Sequence, residues 1–172
     1  MEKTLHIKYF IVSFILAVGF ISAQERWNYS AEEMESTKIN GKEIRRLKEN
    51  VRFVKPGKVI LTDNAVQYIS GDVLHLNGNT MMINGMDTLT CDSMVYWSKL
   101  DSGYAMGNVH YVQSEKDRRL TTEIFHYWQT EGYRGSSFIA QGYTRVIENE
   151  QLITANEIRY DDVLQVMILS VN

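Results

Sequence analysis

Two short motifs alternate along this chain of 172 residues, and they limit its fold more than any other feature. The first reads Leu61-Thr62-Asp63-Asn64-Ala65-Val66-Gln67-Tyr68, then Leu89-Thr90-Cys91-Asp92-Ser93-Met94-Val95-Tyr96. It returns as Leu120-Thr121-Thr122-Glu123-Ile124-Phe125-His126-Tyr127 and as Ile153-Thr154-Ala155-Asn156-Glu157-Ile158-Arg159-Tyr160. A fainter copy runs from Tyr29 to Ser36. The second motif is Glu49-Asn50-Val51-Arg52-Phe53, Gly78-Asn79-Thr80-Met81-Met82, Gly107-Asn108-Val109-His110-Tyr111 and Gly142-Tyr143-Thr144-Arg145-Val146. Its apolar or β-branched residues stand two apart, so both side chains share one strand face. Turn-forming residues separate the motifs: Asn40-Gly41, Pro56-Gly57, Ser70-Gly71-Asp72, Asn84-Gly85, Asp101-Ser102-Gly103 and Glu148-Asn149-Glu150. Asn-Gly between such runs is a strong hairpin signal. Each repeat is therefore two short strands and two turns, and the chain reads as an all-β antiparallel meander.

Parity within the first motif adds a bend. The leading aliphatic of each copy and its Tyr, as in Leu61 and Tyr68, stand an odd number of places apart, so a straight strand would send them to opposite faces. Both side chains favour burial. A bulge at the polar step (Asn64, Asp92, Glu123, Asn156) reconciles them, because one extra residue reverses the parity. A corner repeated in every strand folds the sheet into a trough. Residues 31–35 and 42–49 are rich in helix formers, yet the repeat register assigns them to strands, and local propensity is a weak prior.

The N-terminus carries an export pattern. Lys3 and Lys8 precede an uncharged apolar run from Tyr9 to Ile21, and the small Ser22 and Ala23 follow. This order predicts a signal peptide over 1–23, cleaved near Ala23, and one domain over 24–172. A retained anchor is the alternative reading of the same run. Cys91 is the single cysteine, so no internal disulfide forms, and no cysteine marks a lipidated cleavage point. A formal net charge of -3 argues against nucleic acid and against a polybasic membrane patch. Ten tyrosines and a single proline argue against disorder.

Catalytic constellations are absent from the pattern. No histidine pair has metal-ligand spacing, no G-x-S-x-G occurs, and Asp161-Asp162 fits a turn. His110 and His126 could face each other across neighbouring strands, which is weak grounds for a metal. The expectation is a protein that is not an enzyme and uses no cofactor or metal.

Alternating Gly-Asn-Val and Leu/Ile-Thr-x-Asp/Asn units behind an export signal resemble the periplasmic lipopolysaccharide-transport proteins of the LptA type, also called organic-solvent-tolerance-A-like. The matching residues are Ser30-Ala31-Glu32, Asn50-Val51, Gly78-Asn79, Leu89-Thr90-Cys91-Asp92, Gly107-Asn108-Val109 and Thr154-Ala155-Asn156. Glu49 and Tyr143 depart from the Gly-Asn pattern. The resemblance implies a slot-shaped β-jellyroll, or β-taco, with an apolar interior and open ends, in the periplasm of a Gram-negative-type bacterium. It implies binding of lipopolysaccharide through its lipid A acyl chains. It also implies edge-to-edge stacking with other slot-shaped domains, including copies of itself, into a bridge toward the outer membrane.

Candidate slot-lining residues are Val51, Phe53, Leu61, Val66, Met82, Leu89, Met94, Val109, Tyr111, Leu120, Phe125, Val146, Ile153 and Ile158. Burial of acyl methylenes there is worth about 0.8 kcal/mol each. The same side chains can equally fill a dry core. Val163, Val166 and Ile168, in the last apolar run, are candidates for a stacking edge or for an ordinary terminal strand. Two other classes stay open: a small outer-membrane β-barrel, with Tyr96-Trp97 and Tyr127-Trp128 as a girdle, and a structural repeat scaffold without a ligand.

Overall fold

A computed structural model describes residues 27–129 and 136–171. The export signal and its cleavage point fall outside the described residues. The strands are β1 (Asn28–Ser30), β2 (Glu33–Ile39), β3 (Lys42–Lys55), β4 (Lys58–Tyr68), β5 (Val73–Asn84), β6 (Asp87–Trp97), β7 (Ser102–Gln113), β8 (Arg118–Gln129), β9 (Ser136–Glu148), β10 (Gln151–Asp161) and β11 (Val166–Ser170). They form one antiparallel sheet in the order β1-β3-β4-β5-β6-β7-β8-β9-β10-β11, with β2 also paired to β3. The fold is all-β and built from repeats, as the motifs predict. Of the helix-forming stretches 31–35 and 42–49, all but Ala31 and Glu32 lie in strands, because hairpin pairing from Ile39–Lys42 to Glu33–Lys48 outweighs their propensity.

Nearly every long strand carries a bulge near its middle. Register shifts fall between Leu61 and Asn64, Thr90 and Ser93, Thr121 and Ile124, and Ala155 and Glu157. β8 shows the effect plainly. Leu120 and Thr122 are buried, and past Glu123 the parity reverses so that Phe125 and Tyr127 are buried too. The corner divides the sheet into two arms. One arm holds β2, β11 and the segments beside Leu47, Met94 and Phe125. The other holds β1 and the segments beside Phe53, Leu89 and Leu120.

The corner chemistry explains the second motif. Gly107 and Asn108 both have positive φ (75° and 46°), and the Asp92 carboxylate accepts a hydrogen bond from Asn108 Nδ2 at 2.9 Å. Gly78, Asn79 and Asp63 repeat the arrangement at 2.8 Å. A Cβ on Gly107 would collide with the Asp92 carboxylate, so glycine is required there for space as well as for φ. Beneath the corners, buried hydroxyl pairs join neighbouring strands, Thr62 to Thr80 at 3.0 Å and Thr122 to Thr144 at 2.9 Å.

The arms face each other across a packed core. Tyr111 and Phe125, from opposite arms, have ring centroids 4.9 Å apart, and Tyr127 Oη donates to Met82 Sδ at 3.0 Å. The sheet does not close on itself among the described residues, and its apolar face points inward. That is the reverse of a membrane barrel, which presents its apolar side to lipid. The barrel alternative is set aside for these residues.

Candidate functional site

Strand pairing lines up one inner row across the whole sheet: Met34, Leu47, Ala65, Leu76, Met94, Ala105, Phe125, Ala140, Ile158 and Leu169. Met34 is 54% exposed and Leu169 is 45% exposed, while every residue between them is at most 3% exposed. A second inner row lies on the opposite arm, through Phe53, Ile60, Met82, Leu89, Tyr111, Leu120, Val146 and Ile153. Val51 and Val109 lie on this arm beside the corner, also buried.

Leu61 and Val66 do not line the interior. Leu61 pairs with Arg52 and Met81, and Val66 pairs with Arg46 and His75, on the outer face. The first motif copy is out of step by one residue, with Ile60 and Ala65 holding the inward positions. A slip of one place sends every side chain of a strand to the other face. At the C-terminal edge, Val163 belongs to the turn after β10. Val166 and Ile168 lie on β11 and are 45% and 58% exposed. His110 pairs with Thr121 and His126 with Tyr104, on opposite sides of the β7 corner, so the two imidazoles do not meet. No cluster of potential metal ligands occurs among the described residues.

The interior is tightly filled. A gap between Met82, Leu89, Tyr111 and Tyr127 measures about 10 Å³, room for roughly one water. Burial pushes the Tyr96, Tyr111 and Tyr127 hydroxyls far above their usual range, so they act as neutral donors. Burial likewise pushes the Cys91 thiol up to about 12, leaving it inert. Outside, on the other side of the sheet, a shallow groove of about 430 Å³ runs across β3 to β7 beside Arg46, His75 and Met106.

The mouth of the trough, where the free rims of the arms meet, is polar. Buried Lys58 pairs with Asp101 across the mouth, and Tyr96 Oη donates to the same carboxylate at 2.7 Å. Lys116 reaches Asp162 at 2.6 Å and donates to Tyr160 Oη, whose hydroxyl donates to Gln165 Oε1 at 2.9 Å. Arg118 forms a two-pronged pair with Glu148 at 3.0 Å and lies 4.1 Å over the Tyr160 ring. Burial lowers the Lys58 pKa more than Asp101 raises it. For Asp101 the balance runs the other way: burial raises its carboxyl, and the Lys58 charge and hydrogen bond bring it below its ordinary value. The desolvation cost falls on the ammonium because its side chain is 2% exposed against 25% for the carboxylate. Lys116 is pulled down by burial but raised further by Asp162 and Tyr160, and stays firmly charged.

This charged layer was not legible in the motifs, since its partners are distant in sequence: Lys58 and Asp101 lie 43 residues apart, Lys116 and Asp162 lie 46 apart, and Arg118 and Glu148 lie 30 apart. A usable signal existed: lysines in turns after the second motif, and aspartates in turns after the first.

No protein-family model and no curated protein matches this sequence.

Proposed function

We propose that this chain is a carrier and bridge segment for amphiphilic lipid, of the lipopolysaccharide-transport kind that its motifs resemble. One observation carries the reading: the inner apolar row is continuous from edge to edge, buried along its length and exposed only at its two ends. A self-contained core strand set normally blunts its edges with charge or cover. Here β11 ends the sheet with Val166, Ile168 and Leu169 exposed, which suits strand-to-strand extension by another slot-shaped domain or a second copy. The filled interior means that acyl chains enter by displacing packed side chains, among which Met82 and Met94 are the most adaptable.

A ligand-free scaffold would share the fold but not the lipid. Native mass spectrometry of the protein purified from a lipopolysaccharide-producing host separates the two. The carrier reading expects bound lipid of lipid A type and a ladder of oligomers. Protein that is free of lipid, and that takes up none when mixed with lipid A, overturns it.

A further inference from the structure

The two Lys-Asp-Tyr clusters at the mouth lie at similar places in the repeat, although Arg118, and not Lys116, shares the strand row of Lys58. One runs from the start of β4 to the end of β6 and the turn after it. The other runs from the turn before β8 to the end of β10 and the turn after it. In both, the lysine belongs to one arm, and the tyrosine and aspartate belong to the other. Beside the second cluster lies a polar recess of about 620 Å³ lined by Asn84, Asp87, Gln113, Glu115, Lys116 and Asp162. Asp87 stands in the strand row that holds Lys58 and Arg118, and it accepts a hydrogen bond from Tyr111 at 2.9 Å.

We infer that the mouth is an anionic-headgroup site, with the two clusters as clasps that an incoming amphiphile opens. This inference rests on the carrier reading above. The argument is electrostatic. A buried ammonium needs a counter-anion, and stripping it of one is costly. When acyl chains part the arms, Asp101 and Asp162 leave with one rim, and Lys58 and Lys116 remain on the other. Arg118 keeps Glu148, which is on its own arm. Lys58, whose side chain is 2% exposed, then needs a replacement anion at the height where a headgroup sits once its chains lie inside, and Lys116, 27% exposed, adds a second positive charge there. A phosphate or carboxylate headgroup supplies it, and an uncharged one does not.

The test uses dodecanoic acid and dodecanol, probes of equal chain length, displacing a fluorescent dye from the purified protein at neutral pH. The inference expects the acid to bind about tenfold more tightly than the alcohol. Lys58→Met combined with Lys116→Met removes that preference. Lys99→Met, which breaks an exposed pair with Asp72, keeps it. Asp101→Asn combined with Asp162→Asn opens the clasps but spares the lysines, so it keeps the preference and speeds uptake. It also serves if the lysine variant fails to fold. An acid preference that is absent from the unmodified protein, or that persists without the lysines, overturns the inference and leaves the carrier reading standing. Failure of every form to bind either probe overturns both.

Discussion

At the residue scale the fold turns on which side chains tolerate a left-handed backbone. The corner of β7 uses Gly107 and Asn108, and the corresponding corner of β3 uses Glu49 and Asn50 with φ of 60° and 53°. A left-handed non-glycine residue costs roughly 1–2 kcal/mol. Glu49→Gly should therefore raise stability by about 1 kcal/mol, read by chemical denaturation. Gly107→Ala should lower it by more than about 1 kcal/mol, because its Cβ meets Asp92 and its φ is positive. Acid should loosen the clasps. Asp101 and Asp162 are held below the ordinary aspartate value of 3.8, chiefly by Lys58 and Lys116 against the opposing effect of burial. Their stabilisation is complete above that value and is lost as pH falls through the depressed ones. Asp87 is raised by burial, so its contribution has the opposite sign, present below 3.8 and lost as pH rises through its own value. Melting curves from pH 6 to pH 2 should show a fall that Asp101→Asn with Asp162→Asn flattens, while Asp87→Asn gains stability near neutrality.

At the element scale the bent strand was readable and its exact phase was not. An odd spacing between two residues that both need burial, as in Leu89 and Tyr96, demands a bulge, and the bulge is there. Leu61 went astray because Ile60-Leu61 and Val59-Ile60 are all aliphatic, so the run gives no face of its own. Only pairing with Phe53 and Met82 selects Ile60. By sequence the Gly-Asn pair reads as the opening of a strand, while its part in the corner depends on an acid from the preceding strand. β11 carries the next prediction. Among the described residues it pairs with β10 alone, and Ile168 and Leu169 present apolar side chains on opposite faces of an open edge. Leu169→Asp should abolish any oligomer ladder while leaving the melting temperature within a few degrees, by native mass spectrometry and calorimetry. A ladder that survives would place the contact elsewhere.

At the scale of the whole molecule, two arms share one core, so interior substitutions act on both. Phe125 is fully buried and touches Tyr111, Tyr127 and Phe138. Phe125→Ala should cost about 3–5 kcal/mol of stability, measured by denaturant unfolding. If the interior also carries lipid, Phe125→Leu should retain most of the stability yet alter the affinity for long acyl chains. What the motifs could not convey at this scale is how full the trough is. Repeats reveal that strands bend, but side-chain volume across a closed mouth depends on residues from opposite arms.

The Asp92–Asn108 corner has an evolutionary corollary. Because an acid on one strand and a Gly-Asn pair on the next make a complete hinge, a hairpin carrying both can be duplicated or lost without disturbing its neighbours. Each such event changes the length of the buried apolar row by two strand widths, about 10 Å. Reach becomes a matter of counting hairpins, and natural chains of this design should differ in length by whole steps of that size.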